Sequence, residues 1–348
     1  AQIQDLLKKY PKAMWHQYEP NGRDNVRAGA QMAFGEVVET QYDFGKAKRV
    51  LSLDSDFTAV GSASVRYAGQ FAEGRRIEDG QKNEMNRLYV VESVPSNTGA
   101  VADHRLPLKG SQIDGVARAI AQALGINAGG GNTYGHDVWV NALVKDLKAH
   151  QGESLVIVGD HQSPSVHALA HAINHTLGNV GKTVKHTAAV EASPVDHQAS
   201  LNGLVSDMSA GTISLLVMVG GNPVYNTPSD IDFKNALKKV PTTIHLGQAL
   251  NETSQLCNWH LPESHALEAW SDARAFDGTV SIVQPLIEPL YSAQSAHEVL
   301  AMMLGDGRQG YAIVKEYWQA QRGGATFDND WQTWLHDGLI PNTALAAK

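Results

Sequence analysis

"SLLVMVGGNPVYNTPSD", Ser214 to Asp230, decides how the fold is read. Its first half is a run of mostly branched apolar residues with no charge among them. Such a run suits a strand covered on both faces, as in a parallel sheet. Its second half turns at once into Gly-Gly-Asn-Pro and then into turn and helix-start residues. A strand that runs into two glycines leaves its backbone open at its carboxyl end. In open α/β sheets that end is where ligands sit.

The same plan recurs along the chain. "RVLSLDSDF" (Arg49 to Phe57), "LYVVESV" (Leu88 to Val94), "SLVIVGDHQSP" (Ser154 to Pro164) and "TTIHLGQ" (Thr243 to Gln248) are short apolar runs, several ending in Gly, Asp or Ser. Helical patterns lie between them. "SQIDGVARAIAQALG" (Ser111 to Gly125) sets Ile113, Val116, Ala117, Ile120 and Leu124 on one stripe and stops at a glycine. "DVWVNALVKDLKAH" (Asp137 to His150) repeats this with Asp137 as its cap. "SPSVHALAHAINHTLG" (Ser163 to Gly178) opens on Ser-Pro, a cap and first-turn pair, and "SDIDFKNALKKV" (Ser229 to Val240) opens on Ser229. Alternating strands and helices read as an α/β protein of two doubly wound, mostly parallel-sheet units. The first spans 20–133 and the second 134–291. Residues 292–348 read as a helical C-terminal extension packing on the second unit. The glycine-rich "NAGGGNTYG" (Asn127 to Gly135) is the expected hinge.

Composition narrows the classes. Of 348 residues, 43% are hydrophobic and 18% charged, which supports a large core and excludes general disorder. A net charge of −8 argues against a nucleic-acid partner, whose contacts need clustered Lys and Arg. No window of about 18 apolar residues is present to span a membrane. No signal peptide is read, and a chain starting at Ala1 is expected to be a processed or excised piece. The single cysteine, Cys257, excludes an internal disulfide, a four-thiolate iron–sulfur cluster and a cysteine-built zinc site. Cys257 reads as a small buried hydrophobe.

Candidate ligand groups follow the strands. Asp54 and Asp56 can accept from a ribose hydroxyl or a base amino group. Gly159, Asp160 and His161 stand just before a helix. Gly220 and Gly221 admit close backbone approach, and Asn222 can read a ligand edge; a helix start there would suit phosphate. Each also reads as an ordinary strand-to-helix turn, where glycines and caps are needed anyway. Neither GxGxxG nor GxxxxGK[ST] is present, so neither a standard NAD fold nor a P-loop is supported. His167, His171 and His175 fall on one helix face at i, i+4 and i+8. They read as packed histidines, with a metal site as the alternative. In "HLPESHALEAWSDARAFDGTV" (His260 to Val280), His260, Glu263, His265, Glu268 and Asp272 read as acid–base groups or as a satisfied polar loop. His104, Arg105 and Lys109 form a small basic spot suited to a phosphate or an acidic partner.

The blocks "KRVLSLDSDF", "TGAVADHRLPLK", "LLVMVGGNPVYNTPSD", "NETSQLCNWHLPESHALEAWSD" and "DGTVSIVQPLIEPLY" follow one another as they do in molybdopterin oxidoreductases of the dimethyl sulfoxide reductase type. The likeness extends over about Trp15 to Tyr291, and within the family the chain most resembles the B subunit of alternative complex III. The resemblance implies that loops matching Asp54, Gly159, Asp160, Gly220, Gly221, Asn222, Glu252 and Thr253, with Asp56 beside them, hold a bis-guanine-dinucleotide pterin. The family's "LPxxxxxE" stands at Leu261 to Glu268, but Asn258-Trp259-His260 replaces its usual lead-in. Lys109 to Gln112 replaces the family's "PGTD". The segment "WHQYEPNGRDNVRAGAQMAFG" has neither Cys nor Ser, so only Asp24 is left to ligate molybdenum. The resemblance therefore implies a non-catalytic module without the molybdenum cofactor, with iron–sulfur clusters elsewhere in a longer parent chain. Implied partners are the iron–sulfur domain of that chain and the membrane quinol-binding and cytochrome c subunits of a quinol-oxidising respiratory complex. The implied location is the periplasmic side of the bacterial cytoplasmic membrane. Two alternatives stand beside this: a catalytic domain binding molybdopterin guanine dinucleotide through Asp24, and an unrelated nucleotide-binding protein.

Overall fold

The structure, a computed structural model, describes residues 1–77 and 84–348. The chain forms two compact units. One is Arg23–Pro194 together with Leu345–Lys348, and the other is Ala1–Gly22 together with Val195–Ala344.

The first unit holds strands β1 (Val38–Tyr42), β2 (Arg49–Leu53), β3 (Arg87–Glu92), β4 (His104–Pro107), β5 (Ser154–Val158) and β6 (Val184–Ala188). Four of them make a parallel sheet in the order β4-β3-β2-β5, with Leu51 level with Tyr89 and Val156. Every residue of β2 and β5 is buried, which is why both are mainly apolar, with Arg49, Ser52 and Ser154 as the buried polar exceptions. Helices Ile113–Ala123, Asp137–Ala149 and Pro164–Thr176 supply Ile113, Val116, Ile120, Leu143, Leu147 and Ile173 to the core around Leu51, Val91 and Val156. Burying each such side chain contributes about 1.5–3 kcal/mol. Gly125, at φ +90°, ends the first of these helices as the sequence expects, and the next amide, on Ile126, donates back to the Ala121 carbonyl at 2.9 Å. Strands β1 and β6 form a separate antiparallel ladder. Its polar sequences, VETQY and VKHTA, hid it from an apolar-run reading.

At the amino ends of the sheet, Arg49 is buried. Its Nε donates to both carboxylate oxygens of Asp146 at 2.9 Å, and Arg87 and the Tyr89 hydroxyl donate to Asp146 at 2.8 Å. This network ties helix Asp137–Ala149 to β2 and β3.

The chain does not divide at 133/134, where the sequence suggested a hinge. β5, expected to belong to the second unit, pairs with β2 along its whole length. The glycine-rich stretch is packed instead of free. The Asn132 amide donates to the Gly115 carbonyl at 2.9 Å, and the Tyr134 ring occupies the place where a Cβ on Gly115 would stand. The glycines let a loop lie flat on helix Ile113–Ala123.

The second unit holds a parallel sheet, order β7-β8-β9, of β7 (Leu215–Val219), β8 (Thr242–Gly247) and β9 (Trp259–Pro262). An antiparallel sheet, order β10-β11-β12, follows from β10 (Ser271–Arg274), β11 (Val280–Val283) and β12 (Leu339–Ile340). Helix His197–Ala210, capped by the Asp196 carboxylate on the Ala199 amide at 2.7 Å, packs Leu201 and Met208 with Met218, Phe233 and Leu237. Helices Gly310–Arg322 and Phe327–Asp337 close Trp318, Phe327, Trp331 and Trp334 over Val280, Ile282 and Ile340. The segment 292–348 is thus more than a helical extension. It contributes β12, and its last four residues return to the first unit, where Ala347 bridges Thr187.

Three helix starts differ from their sequence reading. "SDIDFKNALKKV" folds only at Phe233–Leu237, capped by Asp232 on the Asn235 amide, because its earlier residues form a turn. Asp137 is the first helical residue and not the cap. Gly-Gly-Asn-Pro opens a single turn, Pro223–Asn226, too short to offer the phosphate-binding helix start expected of it.

Candidate functional site

In the first unit, β3 lies on one side of β2 and β5 on the other, so the order in which parallel strands are added reverses between β2 and β5. Ligands of open α/β sheets bind at such a point. Asp54 leaves β2 with φ +60°, a left-handed conformation unusual for a residue with a side chain. Its amide donates to the Val91 carbonyl at 2.7 Å. Its own carbonyl lies where a Cβ on Gly159 would be, so glycine is required at 159 by the close passage of two backbones. The Asp54 carboxylate is shared by His161 Nε2 at 2.7 Å and Gln162 Nε2 at 2.8 Å.

The neighbouring groups are engaged as well. Asp160 faces Arg23 Nε at 3.4 Å, and Arg23 also donates to Glu39 at 2.8 Å. Burial alone would lower the Arg23 pKa, but Glu39 and Asp160 outweigh it and raise it. Asp56 accepts from the Thr98 amide at 2.9 Å and the Thr98 hydroxyl at 2.8 Å. Of the basic spot, Arg105 is neutralised by the buried Glu92 at 2.5 Å, and His104 stacks on Tyr89. The Lys109 amide donates to Gln112 Oε1 at 3.3 Å at the start of the turn that follows. Asp24 stands in the first turn of helix Asp24–Phe34, 3.8 Å from Arg27. A carboxylate is favoured there by the helix dipole.

His167, His171 and His175 are not drawn together around a common point. Among the described residues, no three His, Cys, Asp or Glu side chains are grouped to hold an ion. His171 instead faces His186 of β6 and the ring of Phe34.

In the second unit the loops after β7 and β8 interlock. Asn222 Nδ2 donates to Glu252 at 2.6 Å, and Asn222 Oδ1 accepts from the Thr253 amide and hydroxyl at 3.2 and 2.8 Å. The hydrogen bond from Asn222 holds the Glu252 carboxyl below its usual range. Gly220 and Gly221 are both left-handed, at φ +66° and +71°. Their carbonyls point at His245, whose Nε2 lies 3.4 and 3.2 Å away. His245 is fully buried in β8, and its Nδ1 meets the Ser254 hydroxyl at 2.8 Å. Burial lowers its pKa, keeping it neutral, so Nε2–H is the donor to the glycine carbonyls and Nδ1 the acceptor.

Glu263, at the end of β9, has its carboxyl pushed up by burial. His260 lies beside His245, with ring centres 5.9 Å apart. His265 and Glu268 close a local turn, the Glu268 carboxylate accepting from the His265 amide at 2.8 Å, and Asp272 accepts from Trp318 Nε1 at 2.8 Å. These groups do not converge on an acid–base pair. Cys257 is half-buried, with its thiol pKa raised by burial. The sequence reading missed His245 and Gln162. The only signal for His245 was a histidine inside an apolar strand, and Gln162 carried none.

No family model matches this sequence. The chain is 23% identical over 326 residues to the menaquinone reductase, molybdopterin-binding-like subunit of Nitratidesulfovibrio vulgaris, covering 82% of this chain and 47% of that protein. Among solved structures, acetylene hydratase from Pelobacter acetylenicus matches with a TM-score of 0.57 and 13% identity, over 82% of this chain and 51% of that one. The chain therefore shares its α/β fold with part of acetylene hydratase. The formyltransferase/hydrolase complex (FhcABCD) from Methylorubrum extorquens, solved with methylofuran, matches with a TM-score of 0.54 and 12% identity, over 91% of this chain and 90% of that one. The chain spans about half the length of the first two relatives.

A pterin dinucleotide held in such a fold needs hydrogen-bonding groups aimed out of the strand-end loops. Here they are paired within the protein. Asp54 is taken by His161 and Gln162, Asp56 by Thr98, Asp160 by Arg23, and Asn222 by Glu252 and Thr253. Asp24 sits beside Arg27.

Proposed function

We propose that this chain is a module of a molybdopterin-oxidoreductase-like subunit in a bacterial quinone-linked electron-transfer complex, and that it keeps the fold as a scaffold without binding molybdenum. The observation that carries this reading is the internal pairing of the strand-end groups, above all Asn222 with Thr253 and Asp54 with Gln162. A carboxylate or amide already engaged inside the protein has to lose that bond before it can serve a ligand. The likeness to a molybdopterin-binding-like subunit of menaquinone reductase supports the electron-transfer setting. The partners proposed are iron–sulfur and cytochrome c subunits and a quinol-binding membrane subunit, and the place proposed is the outer face of the cytoplasmic membrane.

The test is isolation of the parent complex from its host's membranes under mild detergent, through a tag on this chain. Mass spectrometry and haem and iron–sulfur spectroscopy should find those subunits in fixed ratio to it. Recovery of the chain alone from the soluble fraction would contradict the reading.

A further inference from the structure

The histidines of helix Pro164–Thr176 are not used by the proposed function, yet two of them lie in an unusual setting. His171 faces His186 of β6 edge to face, with ring centres 5.4 Å apart. The Phe34 ring touches both, at 4.9 and 4.7 Å. Thr40 Oγ1 lies 3.3 Å from His186 Nδ1, a weak polar contact. Over the same strand lies the chain's last segment. The Lys348 amide donates to the His186 carbonyl at 2.9 Å, Ala347 bridges Thr187, and Lys185 Nζ holds the Leu345 carbonyl at 3.2 Å. Lys348 Nζ pairs with Glu36 at 2.5 Å.

We propose that the facing imidazoles of His171 and His186 form an acid-sensitive latch, which holds the β1–β6 ladder and residues 345–348 on helix Pro164–Thr176 while both rings are neutral. Two imidazolium ions this close, against an aromatic ring and out of full contact with water, repel each other and lose hydration. The surrounding charges do not compensate. Helix Asp24–Phe34 carries Asp24 and Arg27, with Arg27 bound to Glu191. Glu39 on β1 is bound to Arg23, and Glu36 just before β1 to Lys348. The helix of His171 adds His167, whose proximity further disfavours charge on His171, and His175; β6 adds Lys185. Burial, the largest cause, brings the pKa of His171 down to about 4 and also lowers that of His186. The sign follows. Both groups bind protons more readily in the opened state, so the latch is fully closed above the ordinary histidine pKa of about 6.5 and loosens as pH falls from there toward 4.

The test is amide hydrogen exchange on the full chain between pH 7 and 4.5, read as protection factors. Protection of Val184–Ala188 should fall about tenfold per pH unit for each proton taken up, while that of β2 and β5 stays level. In His171→Leu and in His186→Gln the slope at β6 should be halved. An unchanged slope in a folded variant, or an equal fall across β2 and β5, overturns the proposal. Should neither variant fold, histidine titration of the unmodified protein by NMR decides. Depressed midpoints for both rings uphold the latch, and a midpoint near 6.5 for either ring overturns it.

Discussion

Thr253 binds Asn222 twice, its amide and its hydroxyl both donating to the same Asn222 carbonyl oxygen at 3.2 and 2.8 Å. The hydroxyl oxygen then accepts from the Val224 amide at 3.0 Å. One buried side chain thus closes the turn after β7 onto the turn after β8. The open backbone suggested by Gly-Gly-Asn-Pro is spent on the protein itself.

Replacing that hydroxyl tests the closure. Thr253→Val keeps the shape and strands the Val224 amide and one lone pair of Asn222. Leaving a buried group unsatisfied costs about 1–3 kcal/mol. Urea unfolding should show a loss of that size, with Thr253→Ser losing clearly less. Equal stability of Thr253→Val and the parent would show that the contact carries no weight.

His245 gives a pH dependence. Its pKa is lowered by burial, so its neutral form contributes stability that is complete above the ordinary pKa of about 6.5. That contribution is lost as pH falls below 6.5 toward the folded value. Thermal unfolding of the parent should therefore weaken between pH 7 and 5 by more than that of His245→Gln. At pH 7.5 the variant should be the less stable, by about 1–3 kcal/mol, because Gly220 and Gly221 lose a well-placed donor.

Asp146 anchors the opposite end of the first unit's sheet. Burial alone would raise its pKa, but hydrogen bonds from Tyr89 and Arg49 and the charge of Arg49 hold it down. Asp146→Ala leaves Arg49 buried without this carboxylate and should cost about 3–5 kcal/mol. In the parent, the stability tied to this carboxylate is present above about pH 4 and lost as pH falls through its depressed value. Asp146→Asn should lack that acid-dependent part, as denaturant titrations at pH 3 and 6 can show.

Gly159→Ala places a methyl group on the Asp54 carbonyl. The two loops must part, at about 1–3 kcal/mol of stability. Gly69→Ala, where a Cβ meets nothing within 4 Å, serves as the control in the same calorimetric scan.

Much of the fold was legible because parallel strands buried on both faces leave apolar runs, as in Leu155 to Val158; Leu215 to Val219 reads the same way although Leu215 and Val219 are exposed. Ladder β1–β6 was not, since its strands alternate polar residues and gain their cover from helix Asp24–Phe34. The supposed hinge failed because glycine signals either freedom or close approach, and at Gly115 and Gly131 it is close approach. The candidate site was legible in position and not in state. Asp54, Asp160, Gly220 and Asn222 do lie at strand ends. That they are paired within the protein depends on Gln162 and Arg23, which no local pattern marks, and on Thr253, which was marked as a ligand group and not as a partner.

The most direct measurement is pterin and molybdenum content of the chain in its native complex, by mass spectrometry of released pterin and by elemental analysis. With Asn222 and Asp54 paired within the protein, the account predicts both to be far below one per chain. One pterin and one molybdenum per chain, lost together in Asp24→Ala, would contradict the account at its root.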